Sequence, residues 1–157
     1  MTISRDKSVL NPKFATQLIS FEEALQSEVL PFSLFMGLRT WAEQDALWAQ
    51  GRTTSGKIVT NAKGGDSWHN YGLAADYVWY GLAGGATLPQ WSWDVDAKLW
   101  VRIGEIAVGI GLEWGGNWKT FKDLPHVQNR FGLTLVEAKE LYRLGGLTRV
   151  WREIGGL

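Results

Sequence analysis

Hydrophobic residues recur at the spacing of an α-helix in two stretches of the chain. In the first stretch they follow one another at steps of four, three and four residues: Phe14, Leu18, Phe21 and Leu25. The second stretch repeats these steps: Leu99, Ile103, Ile106 and Ile110. Asn11 and Pro12 precede the first stretch as an N-cap and a proline at the first helical position. Both stretches therefore predict amphipathic helices.

Two capping boxes predict two further helices. In each, a threonine is followed three residues later by a glutamate: Thr40 with Glu43, and Thr134 with Glu137. Gly51 stands where a glycine commonly ends a helix, after the first of these two. The second helix is expected to run to about Arg143, where Gly145 and Gly146 interrupt it before a short final helix over 147–154.

Strand signals are fewer and shorter. Apolar or aromatic runs predict three strands: Phe32–Leu38, Leu73–Tyr80 and one around Leu124–Gln128. Glycine-rich stretches predict three long loops: Gly51–Gly65, Gly81–Gln90 and Gly111–Lys119. The pattern as a whole predicts one α+β domain over residues 1–157, with a small sheet, long loops and the helical segment at about 134–155 inside the same domain.

The composition changes this picture little, because 45% hydrophobic and 20% charged residues are ordinary for a globular protein. Sixteen basic and sixteen acidic residues cancel, so nothing indicates nucleic acid as a partner. Residues 1–11 contain no apolar run, so we expect no signal peptide, and no stretch reaches the roughly 18 to 20 apolar residues of a membrane span. The lack of cysteine excludes disulfides, thiolate metal sites and a cysteine nucleophile.

Histidine occurs only twice, and each histidine has an aspartate nearby in the sequence. Asp76 follows His69 by seven residues, and Asp123 precedes His126 by three. Catalytic zinc needs three nitrogen or oxygen ligands, and hydrolysis needs a further carboxylate as general base, so these four residues could supply both. The alternative is one histidine packed in the core and one on the surface.

The local sequence indicates how these residues could meet. Residues 70–72 argue against a helix after His69, so we expect a turn through Gly72 with Asp76 on the strand that follows. An offset of three would place Asp123 and His126 on opposite faces of a regular strand. Pro125 favours a kink or a strand end between them, which would let both side chains reach one site.

The pattern Ser67-x-His69-x-x-Gly72-x-Ala74-x-Asp76, followed by Asp123-x-x-His126, resembles the signature of the LAS-type zinc peptidases. This family includes D-alanyl-D-alanine carboxypeptidases, vancomycin-resistance dipeptidases and the L-alanyl-D-glutamate endopeptidases of phage endolysins, and Hedgehog domains share its fold. Upstream residues are similar to the endolysin branch in particular: Gly37–Thr40, Glu43-Gln44 and Gln50–Thr53. So is Gly115-Gly116-x-Trp118 ahead of Asp123. The resemblance covers about residues 30 to 130.

This resemblance implies a Hedgehog/DD-peptidase-like fold, in which a small antiparallel sheet packs with helices and long loops. It implies one Zn²⁺ per chain, held by His69, Asp76 and His126, with Asp123 as the catalytic acid and base. Many relatives carry glutamate at the position of Asp123, whose shorter side chain could change its distance to the attacking water. By similarity, Arg39 would stabilise the oxyanion and Ser67 would bind substrate.

Other residues near these motifs keep two interpretations. Arg52 could bind substrate in the cleft or hold its loop through backbone hydrogen bonds, and Gln44 could brace Arg39 or lie on the surface. Glu113 is an alternative catalytic carboxylate. The tryptophans that flank the motifs could line the cleft, as we expect for Trp118 in substrate binding, or pack in the core: Trp68, Trp114 and Trp118.

The resemblance implies a hydrolase of peptidoglycan that cuts the stem peptide between L-alanine and D-glutamate. Removal of terminal D-alanine by a D,D-carboxypeptidase is the alternative activity, and a non-catalytic zinc-stabilised wall-binding module or structural virion protein is an alternative of another class. We expect a monomer that a phage or prophage makes in the host cytoplasm. It would reach the cell wall after holin-type release, with no partner beyond the stem peptide and no membrane insertion.

Overall fold

The computed structural model describes residues 4–82 and 87–157. The start of the segment 1–11 and the middle of the loop predicted over Gly81–Gln90 lie outside these residues. No helix in the described part of the chain is long and apolar enough to span a membrane.

Four α-helices form where the sequence predicts them: α1 Pro12–Ser27, α2 Trp41–Ala49, α3 Ala97–Gly109 and α4 Leu135–Glu153. Asn11 caps α1 by accepting hydrogen bonds from the N–H groups of Lys13 and Phe14. Both predicted capping boxes are present, at the starts of α2 and α4. The backbone of Gly145 and Gly146 leaves the helical conformation, so α4 consists of two segments joined at a kink, as the glycine pair predicts.

Five short strands pair antiparallel throughout: β1 Phe32–Met36, β2 Ala74–Gly81, β3 Gln90–Ser92, β4 Glu113–Trp114 and β5 His126–Gln128. The sheet order is β1-β2-β5-β4, and β3 pairs with the far end of β2. The predicted first strand is too long by two residues, and the third starts later than predicted because residues 124–125 form a turn. β3 and β4 lie in or beside segments that we predicted as loops, since two or three residues are too few for a periodic pattern.

The hydrophobic core lies on one face of the sheet. The predicted stripe of α1 is fully buried there, and Phe21 meets Tyr77 of β2 edge to face with 4.9 Å between ring centroids. Ala138 and Val150 of α4 belong to the same core. Successive strand residues point to opposite faces, so Asp76 and Val78 on either side of Tyr77 lie on the other face, where a cleft opens.

Candidate active site

A single 3₁₀ turn, Trp68–Tyr71, carries His69, and Gly72 ends it in the left-handed conformation with φ 66°. The expected turn through Gly72 and the strand after it are confirmed, and the helical turn ends at Tyr71 and does not continue to Asp76. Gly72 turns the chain into β2, which brings Asp76 back beside His69. The imidazole is buried, and its Nδ1 lies 2.8 Å from the carbonyl oxygen of Gly37.

Strand pairing places the second histidine opposite the aspartate. Asp76 of β2 and His126 of β5 are register partners. Asp123 lies in the turn just before β5, and its carbonyl accepts a hydrogen bond from the N–H of His126 at 3.2 Å. The strand end predicted at Pro125 is therefore present, and Asp123 and His126 both line the same cleft.

Three potential ligand atoms converge at this point. His69 Nε2 lies 3.2 Å from Asp76 Oδ1 and 3.2 Å from His126 Nδ1, and the latter lies 3.3 Å from the same carboxylate oxygen. A tetrahedron with bonds of about 2.0 Å has edges of about 3.3 Å, so the spacing suits a small tetrahedral cation such as zinc. Among the described residues, His69, Asp76 and His126 form the one group of histidines and carboxylates whose ligand atoms are close enough to hold a metal ion.

The remaining ring nitrogens support this arrangement. His69 donates from Nδ1 to a carbonyl oxygen, and His126 Nε2 lies 2.8 Å from Oε1 of Gln128. In neutral rings bonded in this way, the two nitrogens that face Asp76 carry lone pairs. Two lone pairs and a carboxylate therefore point into one buried space, and neither ring has a hydrogen on the side that faces Asp76. A cation would bind all three groups there.

The two carboxylates of the site are shifted in opposite directions. Burial alone would raise the pKa of Asp76, but His69 and His126 hold that pKa well below its ordinary value. Burial and the neighbouring Asp76 raise the pKa of Asp123 to about 6. Burial lowers the pKa of His69, which favours the neutral ring that a metal requires.

Arg39 is held beside the carboxylate cluster by a buried glutamine. Its Nη1 donates to Oε1 of Gln44 at 2.8 Å, and its Nη2 lies 3.6 Å from Oδ2 of Asp76. Gln44 is fully buried and also donates to the carbonyl of Ala62, so the bracing interpretation of Gln44 is confirmed and the surface interpretation was wrong. The guanidinium of Arg39 lines the cleft, with its Nε left without a hydrogen-bond partner.

The cleft has a volume of about 700 Å³ and contains most of the predicted site residues. Ser67 and Trp118 line it, and the ring of Trp118 lies 5.0 Å from that of His126. Trp68 also borders the cleft but is 8% exposed, and Trp114 is equally buried in the core. Of these three tryptophans, Trp118 is the one that is half-buried and lies against the ring of His126.

Arg52 and Glu113 do not line the cleft themselves but hydrogen-bond to residues that do. Arg52 donates to the carbonyls of Trp48 and Thr60 and to Asn61, which are the contacts that the loop-holding interpretation predicts. Glu113 accepts hydrogen bonds from Gln128 and Arg130. We did not single out Gln128 from the sequence, although its position two residues after His126 on a strand places both on one face.

Comparison with known proteins places the chain in a family. Residues 60–129 match the M15 peptidase family model described as D-alanyl-D-alanine carboxypeptidase. The chain is 38% identical over 126 residues to the peptidoglycan L-alanyl-D-glutamate endopeptidase CwlK of Bacillus subtilis (strain 168), covering 77% of this chain and 74% of that protein. The crystal structure of Serratia marcescens L-Ala D-Glu endopeptidase ChiX superposes with a TM-score of 0.50 and 30% identity, over 87% of this chain and 91% of that one. The chain is therefore a peptidase of the M15 family.

Proposed function

We propose that this protein is a zinc-dependent peptidoglycan hydrolase that cleaves the stem peptide between L-alanine and D-glutamate. The observation that carries the proposal is the convergence of His69, Asp76 and His126 in one cleft with a separate carboxylate, Asp123. The names of CwlK and ChiX state this bond specificity for two relatives. Two imidazoles and one carboxylate form a donor set that catalytic zinc commonly uses.

In this proposal, His69, Asp76 and His126 hold one zinc ion. A bound zinc ion would lower the pKa of water towards 7 and polarise the scissile carbonyl. Asp123 accepts the proton of the attacking water and returns it to the leaving amine, a role for which a pKa of about 6 is suitable. Arg39 donates hydrogen bonds to the developing oxyanion. Ser67 and Trp118 contact the peptide on the walls of the cleft.

The cleft favours an endopeptidase over the alternative carboxypeptidase. A carboxypeptidase needs a cationic group for the free carboxylate at the end of its substrate. Among the described residues that line the cleft, Arg39 is the one guanidinium or ammonium group, and it already faces Asp76. A second cation for a terminal carboxylate is thus lacking in this lining.

Mass spectrometry of digested peptidoglycan tests the bond. We expect new amino termini on D-glutamate, whereas released D-alanine would favour the carboxypeptidase. His126→Ala should lose metal and activity together, and Asp123→Asn should keep the metal but lose activity. Asp94→Asn, at an exposed site outside the cleft lining, is the matched control and should remain active. Full metal occupancy in His126→Ala would contradict the ligand set.

We further propose that the protein acts as a monomeric phage-type lysin that reaches the wall through a holin-type membrane pore. The resemblance of residues 50–53 and 115–118 to phage endolysins supports this role, while the two relatives named above come from bacteria. Expression inside a bacterial host should cause lysis only when a pore-forming protein is expressed with it. Lysis without a pore protein would contradict this route.

A further inference from the structure

A chain of hydrogen bonds leads from His126 to the edge of the sheet. His126 Nε2 lies 2.8 Å from Oε1 of Gln128, and Nε2 of Gln128 donates to Oε2 of Glu113 at 3.0 Å. Arg130 completes the chain by donating from Nε to Oε1 of Glu113 at 2.8 Å. Three members of this chain belong neither to the ligand set nor to the proton transfer proposed above: Gln128, Glu113 and Arg130.

The register of the strands places these hydrogen-bonded residues next to one another. His126 and Gln128 are two residues apart on β5, so their side chains lie on the same face. Glu113 on β4 is the register partner of Gln128, as Asp76 on β2 is the partner of His126. His126 and Gln128 are 5% and 6% exposed, so water cannot easily replace either bond.

The chemistry of the groups sets the direction of each bond. The ionised Glu113 carboxylate, paired with Arg130, can only accept, so the amide NH₂ of Gln128 must face it. The amide oxygen then faces His126 and also can only accept. Nε2 of a neutral His126 must therefore carry the hydrogen, which leaves the lone pair on Nδ1, the nitrogen that faces Asp76 and His69.

We propose that Gln128 and Glu113 are positioning residues that hold His126 in the one tautomer and ring orientation in which Nδ1 can bind the metal. The inference rests on the proposed ligand role of His126. His69 needs no such device, because a backbone carbonyl, that of Gly37, fixes its ring. The affinity of the metal site thus depends on a half-exposed glutamate on a two-residue strand.

Glu113→Gln is the sharpest test because it keeps the shape of the side chain and removes its acceptor-only character. The new amide can donate to Gln128, which lets the Gln128 amide rotate and present its NH₂ to His126. Outer hydrogen-bond partners of metal ligands typically contribute 10- to 100-fold to metal affinity. We expect Glu113→Gln to weaken zinc binding by the metal-free protein about 10-fold, and Gln128→Leu by at least as much. Competition with a zinc chelator at fixed pH measures both.

Nitrogen-15 NMR of the metal-free protein gives a readout that does not depend on activity. The chain has only two histidines, so the ring signals are readily assigned. We expect His126 to carry its hydrogen on Nε2 in the wild type and to populate both tautomers in Glu113→Gln. The ring signals of His69 should not change.

Glu105→Gln is the matched control, because it also removes a glutamate paired with an arginine, Arg102, but on α3 outside the cleft lining. Zinc affinity and ring signals that stay at wild-type values in both Glu113→Gln and Gln128→Leu would overturn the inference, and so would an equal loss of affinity in Glu105→Gln. If His126→Ala loses zinc while Glu113→Gln does not, the inference alone fails. Full zinc occupancy in His126→Ala would instead refute the proposed ligand set.

Discussion

At the scale of single residues, the site separates two aspartates by their surroundings. Asp76 lies between two histidines that lower its pKa where their rings carry a proton, whereas Asp123 is partly buried beside another carboxylate. Opposite pKa shifts in neighbouring carboxylates commonly accompany different roles in catalysis. Asp76 is suited to hold a cation together with the two neutral histidines, and Asp123 is suited to gain and lose a proton near pH 6.

The raised pKa of Asp123 predicts how activity depends on pH. The proposed general base must be ionised before it accepts a proton, so kcat/KM should fall as the pH decreases through about 6. The positive charge of a bound metal moves this midpoint downward and not upward. A pH profile of kcat/KM between pH 4.5 and about 8 measures it, with metal content determined at each pH because protonated histidines release metal.

Asp123→Glu is the informative control for this profile. It keeps a carboxylate but extends it, so we expect a lower maximal rate with an acid limb still present. The Asp94→Asn variant should give the wild-type profile. A kcat/KM that stays constant from about pH 4.5 to about 7.5 at full metal occupancy would contradict the role of Asp123.

Site residues could be predicted from the sequence where they fall within one continuous motif. His69 and Asp76 fall within one short pattern that also contains Gly72, so their proximity could be predicted without knowing the fold. Gln128 could not be identified in this way. A glutamine near a histidine has no special meaning until the register shows that Glu113 lies opposite it, and that register depends on the whole sheet.

At the scale of elements, helix α3 supports the turn that carries Asp123. Gly104 lies against the ring of Trp114, where a Cβ atom would come within 2.3 Å of the indole. The indole Nε1 of Trp114 donates to the carbonyl of Leu124 at 2.8 Å, next to Asp123. The close approach at Gly104 therefore lets a helix of the core hold a turn at the edge of the cleft.

Gly104→Ala should destabilise the protein despite the better helix propensity of alanine. Overpacking costs about 1–3 kcal/mol, and the propensity gain returns at most about 1 kcal/mol. We expect the free energy of unfolding in urea to fall by about 1–2 kcal/mol. Activity should also decrease, because displacement of Trp114 moves the turn beside Asp123.

Gly109→Ala is the matched control on the same helix. Gly109 is exposed, and a Cβ atom there would meet nothing within 4 Å. Its free energy of unfolding should stay constant or rise by up to about 1 kcal/mol, with unchanged activity. Equal effects of the two substitutions would contradict the packing argument at Gly104.

The helices could be predicted more fully than the strands, and the reason is physical. Helix starts carry local signals such as the capping boxes at Thr40 and Thr134, and a stripe over about three turns repeats often enough to be recognised. β3 and β4 contain three and two residues, so no alternation can be read from them. β3 forms because it pairs with β2, and β4 forms because it pairs with β5.

At the scale of the whole molecule, the cluster joins parts of the chain that are far apart in sequence. Its three members come from the turn at 68–71, from β2 and from β5, and the segment after β1 contributes the carbonyl that orients His69. The final helix takes part as well, since the indole of Trp151 donates to the carbonyl of Tyr71 at 2.8 Å. A cation bound at the cluster would therefore link several elements of the fold at once.

Metal removal should lower the melting temperature. A ligand that binds only the folded state at 100 times its Kd adds about 2.7 kcal/mol, and each kcal/mol corresponds to about 2–4 °C for a domain of this size. We expect chelation to lower the Tm by about 5–10 °C, as measured by calorimetry at pH 7.5, and zinc to restore it. Without the cation, two imidazole lone pairs and a carboxylate remain 3.2–3.3 Å apart in a buried space, which adds to the destabilisation.

The same experiment on His126→Ala separates specific binding from general effects of the chelator. This variant keeps only two of the three proposed ligands, so its Tm should be nearly the same with and without chelator. Asp94→Asn should respond as the wild type does, because Asp94 is exposed and lies outside the cleft lining. A wild-type Tm that does not respond to chelation or added zinc would mean that the cluster binds no structurally coupled ion. A response of equal size in His126→Ala would place the ion elsewhere in the protein.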